Sequence, residues 1–209
     1  MVRRSREGKD RRIAGLLLAG GRSSRFGSEK AVAQFAGRPL LSWSAEALAE
    51  VCETVAVSAI AVSEAAILAK SMDLDVVVDD LRHARGPLAG LAAGLAWAHA
   101  LGFDRLVTLP CDTPLVSGRE LSRLLADLGA GPGAYAVTED GPQPLCAVWR
   151  VDLLGMLGVR LAMGRHPAVR AFLDDIEATP VSFADAAPFR NANTPDALAL
   201  LEADLAVSR

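Results

Sequence analysis

Two short stretches of the chain hold residue types suited to nucleotidyl or phosphoryl chemistry. The first is L-A-G-G-R-S-S-R-F-G-S-E-K, Leu18 to Lys30, where glycines and serines are set among three cationic side chains, Arg22, Arg25 and Lys30. Glycine lets successive backbone N–H groups converge on an anion with no side chain in the way. The cations add charge where a triphosphate would need it. The stretch is neither a Walker A loop nor a dinucleotide fingerprint, because G-x-x-x-x-G-K-[ST] and G-x-G-x-x-G are both absent from it. Taken alone, it also reads as a glycine turn with solvated arginines.

The second stretch is L-P-C-D-T-P, Leu109 to Pro114, with Asp112 just past a leucine- and valine-rich run. Ligands of open α/β sheets gather beyond the carboxyl ends of the strands. A carboxylate at such a point suits magnesium, which is held by one or two carboxylates together with substrate phosphates. The plainer reading of a lone Asp there is a turn former or a helix cap.

Two further stretches are polar and set at element boundaries. In D-D-L-R-H-A-R-G-P-L-A-G, Asp79 to Gly90, a strand end leads into a helix with Pro87 in its first turn. Gly90 and Gly94 lie one turn apart in that helix, each costing about 1 kcal/mol relative to alanine. Close approach of a ligand's base or of the sheet would account for them equally. In F-R-N-A-N-T-P-D, Phe189 to Asp196, Asn191 and Asn193 could ligate substrate or metal, or simply form the turn. His83, His99 and His166 have no metal-ligand spacing, and no serine stands in a G-x-S-x-G elbow. Cys111 adjoins Asp112, yet at a strand end it reads as a small buried side chain.

The elements that must position these residues follow from periodicity. Short β-branched or leucine-rich runs alternate with helical stretches, the pattern of βαβ units on a mostly parallel sheet, so an α/β three-layer sandwich is expected. Inner strands are expected at Ile13 to Leu18, Thr54 to Val57, Asp75 to Val78 and Arg105 to Leu109. Helices are expected at Leu40 to Ala49, Glu64 to Ser71, Pro87 to Leu101 and Gly118 to Leu128, the last with Ser117 and Glu120 spaced as a capping box. After Gly133 the rhythm weakens: strands near Ala134 to Thr138 and Leu145 to Trp149, with helices near Asp152 to Ala162 and Pro167 to Asp174, allow an antiparallel excursion. A last helix runs from Pro195, capped by Thr194, to about Val207.

Composition narrows the function classes. The chain has 209 residues, 51% hydrophobic and 22% charged, which suits one globular domain, expected at 13–209. The net charge is −3, but residues 1–12 carry +4, leaving −7 on the rest. An acidic body argues against nucleic acid as a partner, and the basic segment 1–12 is expected to be a solvated, disordered terminus. The apolar run that follows is nine residues long, with Arg22 and Arg25 close behind, far from the roughly 20 that span a bilayer. Three widely spaced cysteines give neither a disulfide framework nor a zinc pattern, so a reducing cytoplasm and no membrane association are expected.

Together, in this order, the four stretches resemble the molybdenum cofactor guanylyltransferase family, within the nucleotidyltransferases of GT-A-like, Rossmann-type fold. The family's opening motif reads L-A-G-G-x-S-x-R-M-G-x-D-K; Ser23, Arg25, Gly27 and Lys30 match it, while Phe26 and Glu29 replace Met and Asp. P-C-D-T-P, D-x6-G-P-L-A-G from Asp79 to Gly90, Q-P-L from Gln143 to Leu145 and N-A-N-T-P look like further family motifs. The resemblance implies that Leu18, Ala19, Gly20, Gly21, Lys30, Ser58, Asp79, Gly86 and Asp112 contact GTP. Ser58 falls where the family often has asparagine. It implies Mg2+ on Asp112 and catalytic roles for Lys30, Arg25 and Asp112. Asn191, Asn193 and Arg165 become candidates for substrate or second-metal contact.

The activity implied is transfer of GMP from GTP to the phosphate of molybdopterin, with molybdenum-insertion proteins and molybdoenzyme chaperones as partners. A CTP-dependent sister enzyme, or one acting on another small phosphate substrate, is the nearest alternative. The double glycine of L-A-G-G and the P-C-D-T-P stretch resemble the guanylyl branch. A nucleotide-binding regulatory protein with a dead site is the alternative from another class, and retention of Lys30 and Asp112 speaks against it.

Overall fold

A computed structural model describes residues 12–19, 29–78, 86–163 and 168–207. A seven-stranded sheet forms its middle layer. In chain order the strands are β1 (Ile13–Leu18), β4 (Thr54–Ala59), β5 (Asp75–Val78), β6 (Arg105–Pro110), β7 (Gly133–Thr138), β8 (Gly141–Arg150) and β9 (Thr179–Ser182). A separate hairpin pairs β2 (Gln34–Phe35) with β3 (Arg38–Pro39). Across the sheet the order is β5-β4-β1-β6-β8-β7-β9, with β8 running against the other strands. β8 is the expected antiparallel excursion.

The helices are α1 (Leu40–Ala49), α2 (Glu64–Ser71), α3 (Pro87–Ala100), α4 (Gly118–Asp127), α5 (Leu154–Ala162), α6 (Val169–Asp175) and α7 (Pro195–Val207). Side chains along β1 alternate between two cores because successive strand residues face opposite ways. Leu17 packs into a core with α1, α2 and α4. Ala14, Leu16 and Leu18 pack into the other, with α3, α5 and α6. The capping box of α4 is present, with Ser117 N–H donating to Glu120 Oε2 at 3.0 Å. Thr194 Oγ1 accepts from Ala197 N–H at 3.1 Å, starting α7 as expected.

Gly94 packs against the sheet. A Cβ there would lie 2.3 Å from Leu16 Cδ2, so it is the sheet that comes close at this position. Leu16 is fully buried on β1, an inner strand of the sheet. Overpacking costs about 1–3 kcal/mol, against a gain of about 1 kcal/mol in helix propensity. The net loss is up to about 2 kcal/mol, so Gly94→Ala is expected to lower Tm by up to about 8 °C in a thermal melt; a raised Tm would contradict this packing.

Residues 1–11 of the expected basic tail lie outside the described residues. Arg12, its last residue, is anchored. Its backbone N–H donates to Asp104 Oδ2, its side chain donates to Glu53 and to the Leu101 carbonyl, and its guanidinium lies 4.2 Å from the Phe103 ring centroid. No described helix is long and apolar enough to cross a membrane.

Candidate active site

The site is built at the carboxyl edge of the central strands. Parallel register sets Leu18 beside Ser58 on one flank and beside Pro110 on the other. The chain then closes the edge with main-chain bonds: Ala19 N–H donates to the Ser58 carbonyl at 3.0 Å, and Cys111 N–H to the Leu18 carbonyl at 3.2 Å. Beyond β6, Ala192 N–H donates to the Asp112 carbonyl at 2.8 Å, bringing in the polar strap before α7. Leu18, Ala19, Ser58 and Asp112 thus share one rim, as the sheet topology requires.

Lys30 reaches this rim from a 3-10 turn, Lys30–Val32. The preceding Glu29 is fastened to the start of α2, its Oε2 accepting from Ala65 N–H at 2.8 Å. A carboxylate at a helix N-terminus is stabilised by the exposed amides and the helix dipole. So fixed, Lys30 Nζ donates to Asp112 Oδ2 at 2.8 Å and to Asn193 Oδ1 at 2.7 Å. Side-chain exposure is 15% for Lys30 and 18% for Asp112, so the pair is partly withdrawn from water. Residues 82 and 163 positions apart in sequence meet at one ammonium.

The other carboxylate oxygen is informative. Asp112 Oδ1 is buried and has no hydrogen-bond partner among the described residues. An unsatisfied buried carboxylate oxygen is costly, and in native proteins it calls for an explanation such as an ion. Among the described residues no three His, Cys, Asp or Glu side chains converge into a complete metal cage.

The other expected site residues fall into two groups. Gly20, Gly21, Arg25, Asp79 and Arg165 lie outside the described residues. Gly86 starts α3 at φ 88°, a left-handed value that favours glycine. Asn191 is exposed on the strap that carries Asn193.

Sequence reading missed two supports of the Asp112 turn. Thr113 Oγ1 and Ser44 Oγ both donate to the Pro110 carbonyl, at 3.1 and 3.3 Å, and both residues are buried. Thr113 at least stood inside the P-C-D-T-P stretch, whereas nothing in α1 marked Ser44.

Burial pushes the thiols of Cys52, Cys111 and Cys146 up from 9.0 to about 12, and the Asp112 carboxylate adds to this at Cys111 and Cys146. A thiol so raised is no nucleophile at neutral pH. The folded state holds these protons more tightly than the unfolded chain. Their contribution to stability is therefore complete below 9.0 and is lost as pH climbs toward about 12. Native protein at pH 8 is expected to take up no alkylating reagent within minutes, and unfolded protein to take it up at every cysteine; rapid native labelling seen by mass spectrometry would contradict this.

A family model described as the MobA-like NTP transferase domain matches residues 15–180. The chain belongs to the MobA-like NTP transferase family. Its relatives in this family include a molybdenum cofactor guanylyltransferase of Cereibacter sphaeroides, 41% identical over 194 residues that cover 91% of this chain and 96% of the relative. One of the same name from Rhizobium leguminosarum bv. trifolii is 35% identical, covering 91% of each chain. The fold agrees with that of molybdopterin-guanine dinucleotide biosynthesis protein A from Archaeoglobus fulgidus, with a TM-score of 0.75 at 21% identity over 93% of this chain and 99% of that one. The MobA-like chain is a nucleotidyltransferase, and Lys30 and Asp112 meet at the carboxyl edge of its sheet.

Proposed function

We propose that the chain transfers GMP from GTP to the phosphate of molybdopterin, releasing pyrophosphate, through residues 13–209 acting as one catalytic domain. The observation that carries this reading is the Lys30–Asp112 pair at the carboxyl edge of β1 and β6, with one Asp112 oxygen left for a cation. The names borne by relatives at 35–41% identity support guanine and molybdopterin over other substrates.

The chemistry asks little of a base. A phosphate monoester has its second pKa near about 6, so the acceptor oxygen is largely unprotonated at neutral pH. That oxygen forms the new bond to the α-phosphorus as the bond to the bridging oxygen of the leaving pyrophosphate breaks. Charge and alignment are what the protein must supply. Lys30 neutralises phosphate charge. The lone oxygen of Asp112 fits a hard divalent ion such as Mg2+, which takes one or two carboxylates and completes its shell with phosphates and water. When bound there, that ion would spread the negative charge of the triphosphate. Arg25, Gly20, Gly21 and Asp79 are proposed as further nucleotide contacts, and Arg165 and Asn191 as contacts to the acceptor. A cytoplasmic location, between the proteins that insert molybdenum and the chaperones that load molybdoenzymes, completes the proposal.

Pyrophosphate release with molybdopterin as acceptor, measured with each of the four nucleoside triphosphates and magnesium, tests the reading. GTP is expected to be preferred. A preference for CTP would assign the chain to the cytidylyl activity, and GTP binding with no magnesium-dependent release would make it a regulatory protein.

A further inference from the structure

We infer that Asn193 is a positioning residue for Lys30, and that the strap 191–194, bonded to the Asp112 carbonyl beyond β6, sets the catalytic pair. This rests on the proposed nucleotidyl transfer. An ammonium only donates hydrogen bonds, so the group of Asn193 that faces Lys30 must be its oxygen, at 2.7 Å. Asn193 therefore acts on the cation as a neutral acceptor that does not offset its charge. Asp112, which also accepts from this nitrogen, is a carboxylate with its own task at Oδ1. A phosphate arriving at the ammonium would compete with Asp112 for it. The neutral oxygen can stay in place throughout that exchange.

The strap is built to hold that oxygen still. In N-A-N the middle residue, Ala192, is fully buried against Phe35, Leu40, Leu198 and Leu201, which leaves both asparagines on the outer side. The Ala192 N–H is fixed to the carbonyl of Asp112, the residue whose side chain shares Lys30. One residue past Asn193, the Thr194 hydroxyl caps α7. Helix α7 is in turn tied back to the β2–β3 hairpin, where Glu202 accepts from Ala36 N–H. A lysine carries a long flexible stem, and ordering it before the ligand arrives lowers the cost of binding.

The test is a double-mutant cycle read in two ways: the Kd of GTP with magnesium by calorimetry in the absence of acceptor, and kcat and KM for molybdopterin. Asn193→Ala is expected to weaken GTP binding about tenfold, the scale of one hydrogen bond to a charged group, while KM for molybdopterin stays unchanged. In a Lys30→Ala background, or Lys30→Gln should the alanine variant melt early, the same change is expected to do nothing further. Equal losses in both backgrounds, or a raised KM for molybdopterin, would overturn the inference by showing that Asn193 touches a substrate itself. A wild-type chain that binds no GTP would instead overturn the proposed function, and the inference with it.

Discussion

Replacing Lys30 by alanine is expected to lower turnover about 100-fold or more, the scale known for removing one preorganised donor from a developing charge. The ammonium is the cation that the described structure delivers to the carboxyl edge of β1 and β6, and it is held at 2.8 Å from Asp112. Its loss should appear in kcat as well as in GTP affinity, since charge on the α-phosphate and the leaving pyrophosphate grows in the transition state. The substitution also strips a partly buried carboxylate of its counter-ion, so a melt must accompany the kinetics. A folded variant with near-normal turnover would remove Lys30 from the mechanism.

Asp112→Asn is expected to have a larger effect, about 1,000-fold in turnover, at the upper end of that scale. The amide keeps the shape of the side chain but lacks the charge that both Lys30 and a divalent ion require. The distinguishing readout is magnesium dependence. In the wild type GTP should bind more tightly with magnesium present, and in the variant the two affinities should converge. Retention of the magnesium effect would place the metal on another residue and contradict the role given to Asp112 Oδ1.

Most of the layered fold could be read in the sequence because strand and helix periods differ and the punctuation was strong. The bounds expected for β1, β5, α1 and α2 agree with the structure, where apolar runs end at turns or caps. What escaped notice was short or interrupted by proline. β2 and β3 are two residues each, joined through Ala36 and Gly37 at φ 47° and 77°, and such short strands carry no period. β9 holds Pro180, and β8 runs from Gly141 through Pro142 and Pro144, starting before the expected Leu145. β9 is an edge strand, where proline is tolerated. In β8 the ladder with β7 slips between Tyr135 and Ala136, leaving Pro144 to Cys146 out of register.

The candidate site was legible as residue types and motif order, and its geometry was not. Asp112 at a strand end and Lys30 after a glycine loop were both marked in the sequence. Nothing in the spacing placed the two in one ion pair, because the contact depends on the anchoring of Glu29 to α2 and on the strap bonded to the Asp112 carbonyl. Asn193 was a candidate for substrate or metal, and the structure sets its oxygen on Lys30. Gly94 needed coordinates as well, since a ligand and a leucine on the sheet make the same demand on residue size.

A crystal structure with a non-hydrolysable GTP analogue and magnesium would show whether nucleotide and ion meet at the Lys30–Asp112 pair. The ion is expected about 2.1 Å from Asp112 Oδ1, with the Lys30 ammonium on a phosphate oxygen and Asn193 still beside it. An analogue bound away from the carboxyl edge of β1 and β6, or an ion held without Asp112, would contradict this arrangement.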